Sequence, residues 1–139
     1  MNKIDCLFCK IAIKEVPSSI IYEDKDFLAF LDIMPLNKGH TLVMPKKHYP
    51  TFIDLPKKEL SNINLICQKV AAGIIKATNA HGFNIIQNNM PAAGQAVHHV
   101  HFHIIPRFVN DGHKFPHAGK SRYQEKEAEV IALKIKSLL

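Results

Sequence analysis

The sequence predicts an α+β domain in which one long helix interrupts a series of short antiparallel strands. Short apolar and β-branched runs, separated by polar, glycine or proline turns, predict the strands. A single long segment with apolar residues spaced by three and four predicts the helix. The tight connections between neighbouring strands favour antiparallel pairing. The five predicted strands cover residues 19–23, 27–33, 39–45, 83–88 and 97–105.

The predicted long helix covers residues 54–79, with Asp54 as its N-cap and Pro56 in its first turn. His81-Gly82 follows and predicts its end. Cys67 belongs to the apolar stripe, so we expect a buried thiol that packs as a small hydrophobe. The stripe repeats at helical spacing through Leu60, Ile63, Cys67, Val70 and Ile74.

Two further helical segments complete the predicted domain. A short helical turn is expected at residues 6–13, and a second helix at residues 125–139 follows an irregular segment. We expect a single domain over residues 1–139, with its core at about 6–107 and a C-terminal extension at 108–139.

The composition is that of a globular protein with an anionic partner. Hydrophobic residues make up 47% of the 139 residues and charged residues 22%. The chain contains no apolar run of membrane-spanning length, and its first residues lack the apolar stretch of a signal peptide, so we expect a cytoplasmic protein without membrane contact. The net charge of +6 favours anions, but the basic residues are dispersed along the chain. A phosphorylated small molecule therefore fits better than nucleic acid.

Three histidines on the last predicted strand carry most of the functional information. Because side chains alternate along a strand, His99, His101 and His103 share one face, at an expected spacing of 6.5–7 Å. That row is about as long as a di- or triphosphate. One strand histidine is usually a surface residue or a satisfied core donor, but packing alone does not explain three titratable rings in a row. A role as nucleophile, proton donor or metal ligand at neutral pH would explain such a row. His98 points the other way and is interpreted as an edge residue.

This row resembles the signature of the histidine triad proteins, in which histidines alternate with apolar residues. The matching stretch reads His99-Val100-His101-Phe102-His103-Ile104-Ile105. Further resemblance lies at Asn88, at Gly94-Gln95 and in segments 27–33, 39–43 and 45–48, so that it covers about residues 6–107. The resemblance implies a HIT-like fold of the Hint-like branch and a hydrolase that cleaves nucleoside phosphates or phosphoramidates through a covalent nucleotidyl-histidine.

The resemblance also implies catalytic roles. His101 is then the nucleophile that attacks the α-phosphorus, held by the carbonyl of His99. His103 and the main-chain amides of residues 94–96 bind the non-bridging oxygens. Gln95 is expected to contact the phosphate or the leaving group, and Asn88 to hold the site together.

Substrate binding follows from the same match. Asp32 resembles the carboxylate that accepts both ribose hydroxyls, while Leu7, Phe8 and Ile33 match an apolar slot for the base. Such a slot grips a flat ring without reading its polar edge, so we expect weak base preference with purines favoured.

Two more positions qualify this interpretation. Hint-like members commonly carry Ser or Thr where this chain has Ala96, so the leaving-group chemistry is open. His40 is expected to orient the triad through a hydrogen bond rather than to bind metal.

A structural zinc site is expected near the N-terminus. Cys6 and Cys9 form a Cys-x-x-Cys, and the resemblance supplies His48 and His99 to complete a closed tetrahedral set. His113 and His117 form a rival pair, but they lie in a Gly- and Pro-containing loop and are interpreted as solvated residues.

Three functions remain open. The first is hydrolysis of nucleoside phosphoramidates, acyl adenylates or similar adducts; the second is dinucleoside polyphosphate hydrolysis, as in the fragile histidine triad branch; the third is nucleotide-dependent regulation without significant catalysis. The family resemblance further implies a homodimer that pairs through the long helix and an edge strand.

Overall fold

A single five-stranded antiparallel sheet forms the centre of the molecule. The computed structural model describes residues 5–114 and 122–139. In these residues the sheet has the order β1-β2-β3-β5-β4, which confirms the predicted antiparallel α+β architecture. The strands are β1 (Ile20–Glu23), β2 (Phe27–Leu31), β3 (Thr41–Pro45), β4 (Gly82–Gln87) and β5 (Phe102–Arg107), and the helices are α1 (Leu7–Ala12), α2 (Lys57–Thr78) and α3 (Glu127–Lys136).

The central strands are buried on both faces. In β2, Phe27 and Ala29 join the core under α2, whereas Leu28 and Phe30 join a second core that includes residues of α1. Residues of β3 divide between the two cores in the same alternating way. Two covered faces explain why both strands are continuous apolar runs instead of apolar–polar alternations.

The long helix buries the stripe that its spacing predicts. Ile63, Cys67, Val70 and Ile74 are all buried against the sheet. The predicted N-cap is wrong, however: α2 begins at Lys57, directly after Pro56. Asp54 instead closes a 3-10 turn at Phe52–Asp54, where its carboxylate accepts hydrogen bonds from the Thr51 amide at 2.9 Å and the Thr51 hydroxyl at 2.7 Å. The local capping box competes successfully with the helix for this carboxylate.

The fifth strand is displaced from its predicted bounds. It covers Phe102–Arg107 rather than residues 97–105, and its pairing with β3 starts at Val43 opposite Phe102. Before it, the chain turns tightly, with the His99 amide donating to the Val97 carbonyl at 2.8 Å. Val100, Phe102 and Ile104 nevertheless belong to the core beneath α2, as the alternation predicts.

The C-terminal helix lies apart from both cores. None of its residues is buried, and it is shorter than the predicted segment 125–139. Among the described residues, no helix combines the length and the apolar character needed to cross a membrane.

The outer strand β4 presents an apolar edge to solvent. Phe83 is 45% exposed and Ile85 49%. An unpaired strand edge is a template for pairing with a second chain. These features suit the homodimer that the sequence analysis expects.

We predict that Ile85→Glu weakens this dimer, because it places a charge at the centre of an apolar strand edge. Sedimentation at micromolar concentration should show a dimer for the wild type and a shift towards the 15.7 kDa monomer for the variant. Ile13→Glu, on an exposed residue after α1, is the control and should stay dimeric. A wild-type protein that sediments as a monomer would contradict the prediction.

Candidate active site and metal centre

A pocket of about 290 Å³ opens on the face of the sheet that α1 partly covers. Its walls are mostly apolar, and its polar groups are concentrated on Asp32, His101 and His103. An apolar pocket with a few convergent polar groups is typical of a small-molecule site. The apolar walls include Leu7, Phe8, Ile11, Phe30, Leu42 and Val97.

His101 is held as a neutral ring with one nitrogen directed away from its hydrogen-bond partner. Its Nδ1 lies 2.7 Å from the carbonyl oxygen of His99. Since a carbonyl can only accept, the hydrogen-bond network assigns the proton to Nδ1 and the lone pair to Nε2. Burial lowers the pKa of His101, so the neutral form dominates at pH 7. A neutral imidazole with an available Nε2 lone pair is a competent nucleophile.

A backbone amide sets the tautomer of His103 through an intermediate ring. The Leu36 amide donates to Nδ1 of His40 at 3.1 Å, so the network places the His40 proton on Nε2. That Nε2–H donates to Nδ1 of His103 at 2.9 Å, and His103 then carries its own proton on Nε2. Burial lowers the pKa of His103 to about 4. His103 is therefore a neutral hydrogen-bond donor beside His101.

The histidine rings are closer together than the strand spacing predicts. The ring centres of His101 and His103 are 4.9 Å apart, against the expected 6.5–7 Å. The rings meet edge to face, and Phe8 packs edge-on against His101 at 4.9 Å. Strand spacing fixes the Cα positions but not the tilt of the rings, which is why the prediction overestimates the distance.

Asp32 follows directly after β2, at the mouth of the pocket. Its Oδ1 accepts from the Met34 amide at 2.8 Å, and its Oδ2 lies 3.6 Å from Nε2 of His40. The next residue, Ile33, lines the pocket although it is 90% exposed. Asp32 and Ile33 therefore lie on the rim rather than on the floor.

Gln95 lies in the loop between β4 and the triad, where its side chain has backbone partners. Its side chain is buried, its Oε1 accepts from the Met90 amide at 2.7 Å, and its Nε2 donates to the Pro50 carbonyl at 2.7 Å. Both polar ends thus hold the loop, and a contact of this side chain with the phosphate or the leaving group stays a prediction. Gly94, in the same loop, has a φ of 83°, which favours glycine. Ala96 lines the pocket and supplies no hydroxyl.

Asn89 connects the end of β4 to the 3-10 turn at Phe52–Asp54. Its Oδ1 accepts from the Phe52 amide at 2.8 Å, and its Nδ2 donates to Gln87. The sequence analysis expects this supporting role of Asn88, whose carbonyl accepts from Gln87 instead. The role expected of the Asn88 side chain stays a prediction.

Two cysteines and two histidines meet beside the first triad position. Sγ of Cys6 lies 3.5 Å from Nδ1 of His99, and Sγ of Cys9 lies 3.4 Å from Nδ1 of His48. All four ligand atoms lie within 4.8 Å of one another. Nε2 of His99 is 2.8 Å from the Pro45 carbonyl, so the network places its proton there and leaves the Nδ1 lone pair towards the thiols. Two thiols and two imidazoles are the donor set of a closed structural zinc site.

The rival metal pair finds no support in the part of the chain that is described. His117 lies outside the described residues, and His113 belongs to neither of the two possible metal clusters found among them. The second of those clusters joins Asp32, His40 and His103. The hydrogen bond between the two rings accounts for that grouping without a metal.

The sequence analysis did not assign seven of the pocket-lining residues to the site: Ile11, Val16, Pro17, Ser18, Phe30, Leu42 and Val97. Val16, Pro17 and Ser18 lie in the connection before β1 and line the pocket. The hydroxyl of Ser18 is buried and has no hydrogen-bond partner among the described residues. A segment of this composition carries no signal that would distinguish it from an ordinary connection.

A family model described as the HIT domain matches residues 13–110. The chain belongs to the histidine triad (HIT) family. A HIT-like protein of Methanocaldococcus jannaschii is 52% identical over 77% of this chain and 82% of its own length. An adenylylsulfatase of Arabidopsis thaliana is 46% identical over 77% of this chain and 54% of its own. An adenosine 5′-monophosphoramidase of Saccharomyces cerevisiae is 42% identical over 73% and 62%.

Solved structures of HIT proteins share the whole architecture. A HIT-family protein from Bacillus subtilis superposes with a TM-score of 0.87 at 37% identity and covers 97% of each chain. A zinc-bound histidine triad protein from Mycobacterium smegmatis superposes with a TM-score of 0.72 at 30% identity, covering 99% of this chain and all of that one. These likenesses confirm the expected HIT-like fold.

The lowered pKa of His103 predicts a pH dependence of stability. The native ring takes up a proton only near pH 4, whereas the unfolded ring does so near its ordinary value of 6.5. The unfolded state therefore binds more protons in this window, and the free energy of unfolding falls as pH drops from 6.5 to 4, by about 2 kcal/mol from this group. Denaturant titrations should show a shallower fall for His103→Gln than for the wild type. Parallel curves for the two proteins would contradict the assignment.

Proposed function

We propose that this protein hydrolyses nucleoside phosphate adducts, such as phosphoramidates and acyl adenylates, through a covalent nucleotidyl intermediate on His101. The observation that carries the proposal is the hydrogen bond between Nδ1 of His101 and the His99 carbonyl. It leaves an Nε2 lone pair on a ring that lines the pocket. A histidine that takes up a nucleotidyl group must be neutral, and its free nitrogen must be directed at the phosphorus.

In the proposed reaction, Nε2 of His101 attacks the α-phosphorus. The new N–P bond forms as the bond to the leaving group breaks, and the leaving group departs with that electron pair; an amine leaving group takes up a proton from the solvent as it departs. Nε2–H of His103 and the main-chain amide of Ala96 stabilise the negative charge on the non-bridging oxygens, whereas the amides of Gly94 and Gln95 already donate to the carbonyls of Pro91 and Met90. Water then attacks the same phosphorus, breaks the N–P bond and releases the nucleoside monophosphate, with its proton passing to the solvent. His101 regains its lone pair.

The same pocket supplies the proposed nucleoside contacts. Asp32 lies on the rim, where its carboxylate could accept hydrogen bonds from both ribose hydroxyls. Leu7, Phe8 and Ile33 provide apolar surface for the base. Because these walls offer area rather than a hydrogen-bonding pattern, we expect purines to bind better through stacking area alone.

The names of two relatives support an adenylyl substrate. An adenylylsulfatase and an adenosine 5′-monophosphoramidase share the adenylyl group and differ in the leaving group. In our proposal, the pocket described above binds the shared adenylyl group. Dinucleoside polyphosphates contain the same part, so their hydrolysis remains the second candidate activity. Nucleotide-dependent regulation remains the non-enzymatic alternative.

A substrate panel tests the proposed function. Steady-state turnover should be measured with a fluorogenic adenosine phosphoramidate, an acyl adenylate and diadenosine polyphosphates. Faster turnover of the first two supports the proposed function, and faster turnover of the polyphosphates supports the second candidate. Tight nucleotide binding without turnover on the whole panel would show that the protein is a binding module.

His101→Ala should lower kcat by at least about a thousandfold, equivalent to about 4 kcal/mol of barrier, because it removes the nucleophile. Binding of nucleoside monophosphate should survive, since Asp32 and the apolar walls remain. His98→Ala is a matched control, because that histidine adjoins the triad but does not line the pocket, and it should retain activity. Wild-type turnover in the His101 variant would disprove the nucleophilic role.

We further propose that Cys6, Cys9, His48 and His99 hold one structural zinc ion. The convergence of their four ligand atoms and the orientation of the His99 ring support this. The zinc-bound neighbour from Mycobacterium smegmatis adds support at the level of the family. Zinc with four protein ligands would stabilise the fold and leave no open position for substrate.

Elemental analysis of protein purified without chelator should therefore find close to one zinc per chain. Cys9→Ala should release the metal and lower the melting temperature, because the native state loses a ligand that stabilises it. Cys67→Ala, at a buried cysteine of α2, should keep its zinc. Wild-type protein free of zinc under these conditions would exclude the site.

A further inference from the structure

We propose that the Cys6, Cys9, His48 and His99 cluster also positions the nucleophile, so that its ligands act as positioning residues for His101. The inference rests on the proposed function for its catalytic consequence, but not for its structural content. His99 is the link: its ring belongs to the cluster, and its carbonyl oxygen receives the Nδ1–H of His101 at 2.7 Å. One residue thus joins the proposed metal to the reacting ring.

The carbonyl of His99 is not fixed by the sheet. Strand β5 begins only at Phe102, and pairing with β3 reaches no further back than that residue. Residue 99 lies instead in a tight turn. Contacts outside the sheet therefore fix its orientation, and one of them is the His99 side chain, which the Pro45 carbonyl holds at Nε2 and the thiols of the cluster approach at Nδ1.

The peptide group between His99 and Val100 is clamped from both ends by neighbours of the cluster. Its carbonyl accepts from His101, and its amide donates to the Tyr49 carbonyl at 2.7 Å. Tyr49 directly follows His48. A metal that ties His48 to His99 therefore holds together the two chain segments on which this amide hydrogen bond depends.

A second connection runs through α1. Phe8 lies between the two cysteines in sequence and packs edge-on against His101, with ring centres 4.9 Å apart. Its ring centre also lies 6.0 Å from that of the His99 ring. The cluster therefore anchors the helix that supports one side of the nucleophile, while the His99 carbonyl holds its Nδ1.

Loss of the cluster should consequently disorder a catalytic ring without removing it. Nucleophilic attack is sensitive to misplacement of about 1 Å, which can cost on the order of a hundredfold in rate. The expected signature is a fall in the rate of nucleotidyl-histidine formation that exceeds any change in nucleotide affinity.

His48→Gln is the sharpest test, because His48 does not line the pocket. Zinc content, the Nδ1–H proton signal of His101 in histidine-labelled protein, and the single-turnover rate should be measured together. We expect loss of zinc, loss of the Nδ1–H signal through exchange with water, and a rate at least about tenfold lower. His48→Cys, which keeps a closed zinc ligand set, should restore all three. Cys67→Ala, which destabilises the other core, should leave the signal and the rate unchanged.

A zinc-free His48→Gln protein that keeps both the signal and the rate would overturn the inference. If that variant does not fold, stepwise zinc removal from the wild type replaces it. The signal and the rate should then fall with zinc while circular dichroism stays native; loss of native circular dichroism in proportion to zinc would show a purely structural site and overturn the inference. A zinc-dependent signal without turnover on any substrate would sink the proposed function and leave the positioning role standing.

Discussion

The hydrogen bond from His101 to the carbonyl of His99 is the interaction on which the site depends. It decides which ring nitrogen carries the proton, and therefore which one can attack an electrophile. A carbonyl suits this purpose because it can accept a hydrogen bond but cannot take the proton away. Two parts of the fold serve this bond: the turn before β5 presents the carbonyl, and the helix α1 supports the ring on another side.

Burial supplies the second requirement, which is a neutral triad. Desolvation is the largest cause of the lowered pKa at His40, His101 and His103. Burial alone would leave the tautomers undecided, since either nitrogen of a neutral imidazole can carry the proton. Backbone groups make the choice: the His99 carbonyl for His101, and the Leu36 amide, through His40, for His103. The site therefore combines a covered sheet with main-chain donors and acceptors of fixed direction.

The sequence correctly predicts those features that depend on periodicity. Its predictions fail where side chains form local hydrogen bonds instead. The helical stripe of α2 and the division of the triad strand into a histidine face and an apolar face both follow from side-chain geometry. The N-cap assigned to Asp54 is wrong because Thr51 offers that carboxylate a nearer partner. The two backbone partners of Gln95, at Met90 and Pro50, were not predicted from the sequence because only the fold brings them to its side chain. No sequence pattern marks Ser18 as a pocket residue, because only the fold brings it to the pocket wall.

The proposed division of the pocket would let one nucleophile act on adducts with different leaving groups. The described side chains contact the positions proposed for base, ribose and phosphate, and Ala96 offers no hydroxyl at the boundary where a leaving group would begin. Attack at phosphorus needs the nucleophile and the contacts to the phosphate oxygens. Every adenylyl adduct presents the same phosphate group to them. Leaving groups can then vary without disturbing the bond that holds His101, because that bond lies on the far side of the ring from the attacking Nε2. In the proposed mechanism, specificity for the leaving group is a separate property, which we expect surface outside the apolar slot to determine.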